Sequence, residues 1–355
     1  MRVDSETRRE VDGAMLRVIV EQFGERTTHP RSDVEQFERL AHGLIDMLDA
    51  ESVAGVARPL CLHPETPPSL IARLFEKGGA CARVAFEFAP NAPARDLIAT
   101  AEHGSTELAA AIARRADLDR DVVAALASRG EPEVLRALAA NPTPRLDPAV
   151  RHALLVAARD DLALARLLLD RVDLDVDARP LFLAARRDER VAILLGESRD
   201  VLAAATADAP CPDPAFALRL ERLALARDRD GMAAVLADAL DCRKSRARAI
   251  VLDEGGEPLA LALLALGVGL DAATRVFICL EPAIAHDPNR VRALRAIMRS
   301  TPPRAAARVV AAIAGSSRPE REAARGLPGR VHAAPAQARR HGAAADGAHR
   351  IGKSA

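Results

Sequence analysis

His63-Pro64, Ala89-Pro90, Arg115-Ala116 and Asn141-Pro142 follow one another at intervals of 26 residues, and this repetition decides the fold. Upstream of each pair, Val56, Ala82, Leu108 and Val134 recur at the same interval, as do Leu60, Phe86, Ile112 and Leu138. Downstream, with a one-residue slip, come Leu70-Ile71, Leu97-Ile98, Val122-Val123 and Ala149-Val150. After a longer step, Arg171-Val-Asp-Leu-Asp-Val-Asp177 echoes Arg115-Ala-Asp-Leu-Asp-Arg-Asp121. Self-similarity at a fixed period marks stacked supersecondary units.

Each unit reads as helix, break, helix. Val134, Leu135 and Leu138, or Leu164, Leu167 and Leu168, are spaced three and four apart, which places them on one helical face. The breaks fall at Pro64 and Pro67, Pro90 and Pro93, Pro142 and Pro144. Proline lacks the amide hydrogen and clashes with the preceding turn, so a helix is not expected to run through it. The second proline of each pair suits the first turn of the next helix. The third unit has no proline there, and Asp117 and Asp119 are expected to cap its second helix. Helices of about nine residues are only ~13 Å long and do not stand alone. They must bury their apolar stripes on neighbours, which predicts an all-α fold: an α-solenoid of short antiparallel helix pairs, HEAT-like, with a period of about 26 residues. A leucine-rich repeat is excluded, because Thr143 stands where its asparagine would be and no strand-like alternation appears.

Apolar residues make up 49% of the chain and are mostly Ala, Leu and Val; there is no Trp or Tyr. Such short-side-chain helices pack closely at little entropic cost. Formal net charge is zero, so the bulk electrostatic drive for nucleic-acid binding is missing, and so are the aromatic platforms for single strands. The five cysteines, Cys61, Cys81, Cys211, Cys242 and Cys279, form no C-x-x-C pair. With no signal peptide in evidence they read as reduced, buried thiols of a cytoplasmic protein, and no metal or other cofactor is expected. The most apolar run, Leu259 to Leu270, is shorter than the roughly 18 residues that a membrane span needs.

Four regions follow. Residues 1–51 hold two amphipathic helices, the second with Val34, Phe37, Leu40, Leu44, Ile45 and Leu48 on one stripe; they are expected to cap the array. Residues 52–207 are the repeats. Asp208-Ala-Pro-Cys-Pro-Asp-Pro214 is rigid punctuation, and residues 208–314 read as further helices, a continuing solenoid or a small bundle. Residues 315–355 carry eight basic residues against three acidic ones, a charge of +5 that leaves −5 for the remainder. With almost no Leu or Val they read as a disordered basic tail.

Few constellations suggest chemistry. His63 and His103 stand at helix ends, where a histidine meets the carbonyl end of the helix; no serine, cysteine or carboxylate is placed to complete a triad. Asp173-Leu-Asp175-Val-Asp177 lacks the glycine and distal glutamate of a calcium loop and reads as helix capping. Gly78-Gly79 and Gly255-Gly256 read as helix-ending turns. Arginines recur on both halves of the unit: Arg58, Arg83, Arg114, Arg136 and Arg166 on the first, Arg73, Arg95, Arg120 and Arg151 on the second. Stacking aligns each set into a ladder. The bland account is a solvated face with intervening acids; the sharper one is a surface for an acidic protein segment, with Arg73, Arg95, Arg120 and Arg151 as the partner-binding residues.

Phe37-Glu-Arg-Leu40, Val56-Ala-Arg-Pro-Leu60, His63-Pro-Glu-Thr-Pro67 and Leu135-Arg-Ala-Leu-Ala-Ala-Asn-Pro142 resemble a bacterial family of helical-repeat proteins known as a domain of unknown function, over about Asp33 to Ile313. The resemblance implies a HEAT-like or leucine-rich-variant-like array with no catalytic residues. The leucine-rich-variant relatives carry a cysteine cluster for an iron–sulfur centre, a pattern this chain lacks. The expected function is a protein–protein interaction scaffold binding another protein on its curved surface, not an enzyme. The alternative is nucleic-acid binding by a HEAT-like concave face.

Overall fold

The computed structural model describes residues 2–90, 92–171, 173–174, 176–203 and 213–315, with side chains from residue 8 onward. Every regular element in them is helical. The order is α1 (Arg2–Gly24), α2 (Arg31–Met47), α3 (Ala50–Leu62), α4 (Pro68–Lys77), α5 (Gly79–Phe88), α6 (Ala94–His103), α7 (Thr106–Ala113), α8 (Arg120–Ser128), α9 (Pro132–Ala140), α10 (Pro148–Ala158) and α11 (Leu162–Asp170). A 3-10 segment (Arg179–Ala184) leads to α12 (Arg187–Ala203), α13 (Pro214–Leu225), α14 (Arg229–Leu240), α15 (Lys244–Val251), α16 (Glu257–Ala265), α17 (Leu270–Leu280), α18 (Pro282–Ala285), α19 (Pro288–Ser300) and α20 (Pro303–Ala314). The basic tail and most of the proline-rich punctuation, Cys211 included, lie outside the described residues.

The repeated residues fall into two rows of helices. First helices pack on first helices, α3 on α5, α5 on α7, α7 on α9 and α9 on α11, while α6 packs on α8 and α8 on α10. The reason lies in the buried faces. Leu60, Phe86, Ile112 and Leu138, the same register position of successive units, are all buried. Ala109, Ala110, Ala111, Ile112 and Ala113, five successive residues of α7, are all buried, which small side chains permit because they let neighbours approach closely. Farther on, α13 packs on α14 and α17, and α16 on α19 and α20.

Three apolar cores result. One joins Leu16, Phe37, Ile45, Leu60, Leu70 and Leu74. The next runs from Ala82 and Phe86 to Leu181. The third begins one residue later at Phe182 and extends to Ile313. Phe75 packs against both of the first two cores, and its ring meets that of Phe86 edge-on at 4.8 Å between centroids.

Local structure departs from expectation at several residues. Helix α3 runs through Pro59 and stops before Pro64. Pro67 and Pro93 are N-cap residues rather than first-turn residues, and Pro144 precedes α10 altogether; Pro68 and Pro148 take the first helical positions. Leu40 is exposed and Ala41 is buried in its place. Gly78, at φ +72°, ends α4 and begins α5, whereas Gly256, at φ +77°, starts α16. Asp117 does not cap α8, and the N-cap Asp119 makes no side-chain capping bond. Both oxygens of Asp117 are taken by Arg115.

Candidate functional site

A polar rung recurs where the first helices end, at His63, Arg115, Asn141 and Arg171 but not at Ala89. Arg115, buried, donates to the carbonyl of Phe86 at 2.7 Å and of Ala89 at 2.8 Å, at the end of the previous first helix. Asp117 closes a two-point ion pair on the same guanidinium at 2.8 and 2.9 Å. One unit on, Asn141 donates to the carbonyls of Ala113 at 2.9 Å and Arg115 at 2.6 Å. Next, Arg171 donates to the carbonyl of Asn141 at 2.6 Å and is held by Asp173. In the first unit the Nε2–H of His63 donates to the carbonyl of Arg26 at 2.7 Å, and its Nδ1 accepts the Glu65 amide. Arg129 uses the same device in the second row, donating to the Ala101 and Gly104 carbonyls with Glu131 as counter-ion. The last carbonyls of a helix have no partner within it, so the rungs of Arg115, Asn141 and Arg171 satisfy buried groups that would otherwise cost free energy, whereas His63 meets an exposed carbonyl beyond α1.

The second row opens between α4 and α6. The helices face each other across a cavity of about 830 Å³ with mainly apolar walls. Ile71, Ala72, Phe75 and Glu76 come from α4, Asp96, Ala99 and Thr100 from α6, and Phe86 from α5. The floor is the end of α3, Leu60 to His63, followed by Pro64 and Thr66. Leu62 stands exposed at this end, and the Thr66 hydroxyl is buried with no hydrogen-bond partner among the described residues. Burial pushes the Cys61 thiol up to about 12 and that of Cys81 up to about 11, so both are protonated and unreactive at neutral pH.

The four arginines expected to bind a partner lie one on each second helix, α4, α6, α8 and α10, and differ in their surroundings. Arg73 is held by Asp46 at 2.6 Å and Glu76 at 2.7 Å. Arg120 is paired with Asp147, the N-cap of α10. Arg95 is exposed, and Arg151 is half-buried, its Nε without a partner among the described residues. First-row arginines are engaged too: Arg58 lies over the Phe88 ring, Arg114 pairs with Glu87, Arg136 with Asp161, and Arg166 with Asp170 and Glu189. His103 is exposed beside Glu102. Asp173 and Asp177 bind Arg171 and Arg179, and no cluster among the described residues could hold a metal ion. No helix among the described residues is long and apolar enough to cross a membrane.

The cavity was not anticipated from the sequence. The signal was present in the rung position, which is a hydrogen-bonding residue in every unit except the one that reads Ala89.

Residues 82–209 match the model of a family described as an uncharacterised protein conserved in bacteria (DUF2336). The match begins on α5, so it takes in the α6 wall of the cavity and leaves out the α4 wall. No curated protein and no solved structure matches the chain.

Proposed function

We propose that the protein is a cytoplasmic α-solenoid of HEAT-like helix pairs that acts as a protein–protein interaction scaffold. The observation that carries this reading is the break in the second row: an open, apolar-walled cavity of about 830 Å³ where neighbouring units would otherwise close on each other. Clefts of this size with apolar walls and a few polar groups are the usual form of a binding site. Repeat arrays present such surfaces because each unit contacts only its neighbours. The arginine row is a poorer candidate, since Arg73 and Arg120 already have carboxylate partners.

The test is site-specific photo-crosslinking in the native cytosol, with the photoreactive residue at Ala72 or Ala99, both exposed on the cavity wall. A discrete protein adduct at both positions, lost on filling the cavity with Ala99→Trp, is expected. Adducts that survive Ala99→Trp but disappear when Arg73, Arg95, Arg120 and Arg151 are reversed to Glu would move the interface to the arginine row. Nuclease-sensitive adducts would replace the scaffold by a nucleic-acid reader.

A further inference from the structure

Arg115 reaches back 29 residues to the carbonyl of Phe86 and 26 to that of Ala89. Counting back the same distances from Ala89 gives Leu60 and His63, and both line the cavity. Ala89 has no donor to offer them. Within α3 the carbonyl of Leu60 has no helical donor either, because the residue four on is Pro64, and the His63 amide is spent on Pro59. The His63 carbonyl accepts the Thr66 amide at 3.2 Å and keeps a second lone pair. Among the described residues nothing donates to the Leu60 carbonyl, so this end of α3 presents open carbonyls, and the negative pole of a helix, to the cavity.

The rest of the lining suits the same kind of guest. Ile71, Phe75 and Phe86 form walls for an aliphatic stem. Asp96, on the α6 side, is exposed and has no ion-pair partner among the described residues, whereas Glu76 is already held by Arg73. The unpartnered Thr66 hydroxyl adds a further acceptor.

We propose that the cavity receives an arginine side chain from a segment of the partner protein, whose guanidinium takes the place of the rung that Ala89 lacks. Arginine is favoured over lysine because the two carbonyls are met elsewhere in this chain by separate nitrogens of one planar fork, as in Arg115. Asp96 takes the part that Asp117 plays for Arg115. This inference rests on the scaffold reading and names the chemistry of the partner.

The experiment titrates the full chain with the capped tripeptide acetyl-Leu-Arg-Leu-amide, following the Thr66 and Thr100 amide resonances. The peptides with citrulline or norleucine in place of arginine are run beside it. The arginine peptide is expected to bind, with citrulline about tenfold weaker or worse through loss of the charge-assisted bonds. Asp96→Asn is expected to weaken the arginine peptide several-fold without moving the urea midpoint. Ala89→Arg is expected to abolish binding and raise Tm, because the installed side chain fills the site from within. Should Ala89→Arg fold poorly, the citrulline and Asp96→Asn comparisons decide. Equal binding of arginine, citrulline and norleucine peptides would overturn the arginine assignment and leave an apolar docking cleft for a protein segment. Absence of peptide binding with persistent crosslinks at Ala99 would likewise overturn the assignment alone. Competition by free L-arginine as strong as by the peptide would overturn both this assignment and the scaffold reading.

Discussion

A guanidinium that bridges two backbone carbonyls and one carboxylate does something no other side chain can do at the same place. Arg115 is 2% exposed, yet its charge is compensated by Asp117 and its N–H groups by the ends of α5, so burial costs little. Lysine at this position would keep the charge but lose the planar fork. Arg115→Lys is therefore expected to destabilise the fold by about 2–3 kcal/mol, most of the cost of Arg115→Met, measured by urea denaturation. Asn141 is the neutral version of the same rung, with two donated bonds and one accepted from the Thr143 amide. Asn141→Ala leaves the Ala113 and Arg115 carbonyls buried without it. An expected loss of about 2 kcal/mol follows from those unsatisfied groups, with no change in m-value. The sequence shows the rung residues as a repeat, but Arg115-Ala-Asp117 and Arg171-Val-Asp173 read there as helix caps. A one-dimensional pattern records that aspartate precedes a helix; it does not record that an arginine two residues earlier needs the carboxylate more.

Between elements, ion pairs add to the apolar contacts that join them. The Glu189 carboxylate at the start of α12 receives both terminal nitrogens of Arg166 on α11, at 2.6 and 2.7 Å, and the Arg186 amide. Those bonds to Arg166 hold its pKa at about 2 against an ordinary 4.5. A carboxylate with a depressed folded pKa contributes stability above its unfolded value and loses it as pH falls. The contribution of this join is thus intact above pH 4.5 and decays toward pH 2. In Glu189→Gln the urea midpoint is expected to fall less than in wild type between pH 5 and pH 3. Farther on, Arg190 pairs with Asp253 at 2.7 Å and Glu257 at 2.8 Å and lies over the Phe182 ring, all in nearly buried positions. Removing it strands two acids, although Arg290 still reaches Glu257 at 2.8 Å. Arg190→Met is expected to cost about 3–5 kcal/mol by chemical denaturation, the usual consequence of breaking a buried pair from one side.

At the scale of the whole molecule, the helices were legible because positions such as Leu60, Phe86, Ile112 and Leu138 repeat in the sequence, and all of them lie in the core. What was not legible is a relation between two units, the cavity, whose walls come from residues up to 40 positions apart, Leu60 to Thr100. Periodicity says that α4 and α6 are equivalent; it does not say that they fail to close. The opening lies beside the end of α3, at the seam between two apolar cores. There, Phe75 belongs to both cores and touches Phe86 edge-on, and both rings line the cavity. A contact that joins two cores beside an empty space has few neighbours to replace it, so its loss should be felt as lost coupling as well as lost burial. Phe86→Ala is expected to cost about 3–5 kcal/mol for the removed ring and the enlarged void. It should also divide unfolding, because residues of the first core, such as Leu16, Phe37 and Ile45, then no longer gain stability from those beyond Ala101. Native-state hydrogen exchange distinguishes the outcomes. In wild type, amides of α2 and α8 are expected to share one opening free energy; in Phe86→Ala those of α2 should open at lower free energy while those of α8 keep more of their protection. Equal loss of protection in both helices would mean that the cores are coupled through the α3–α5 contact, and that the rings beside the cavity only fill space.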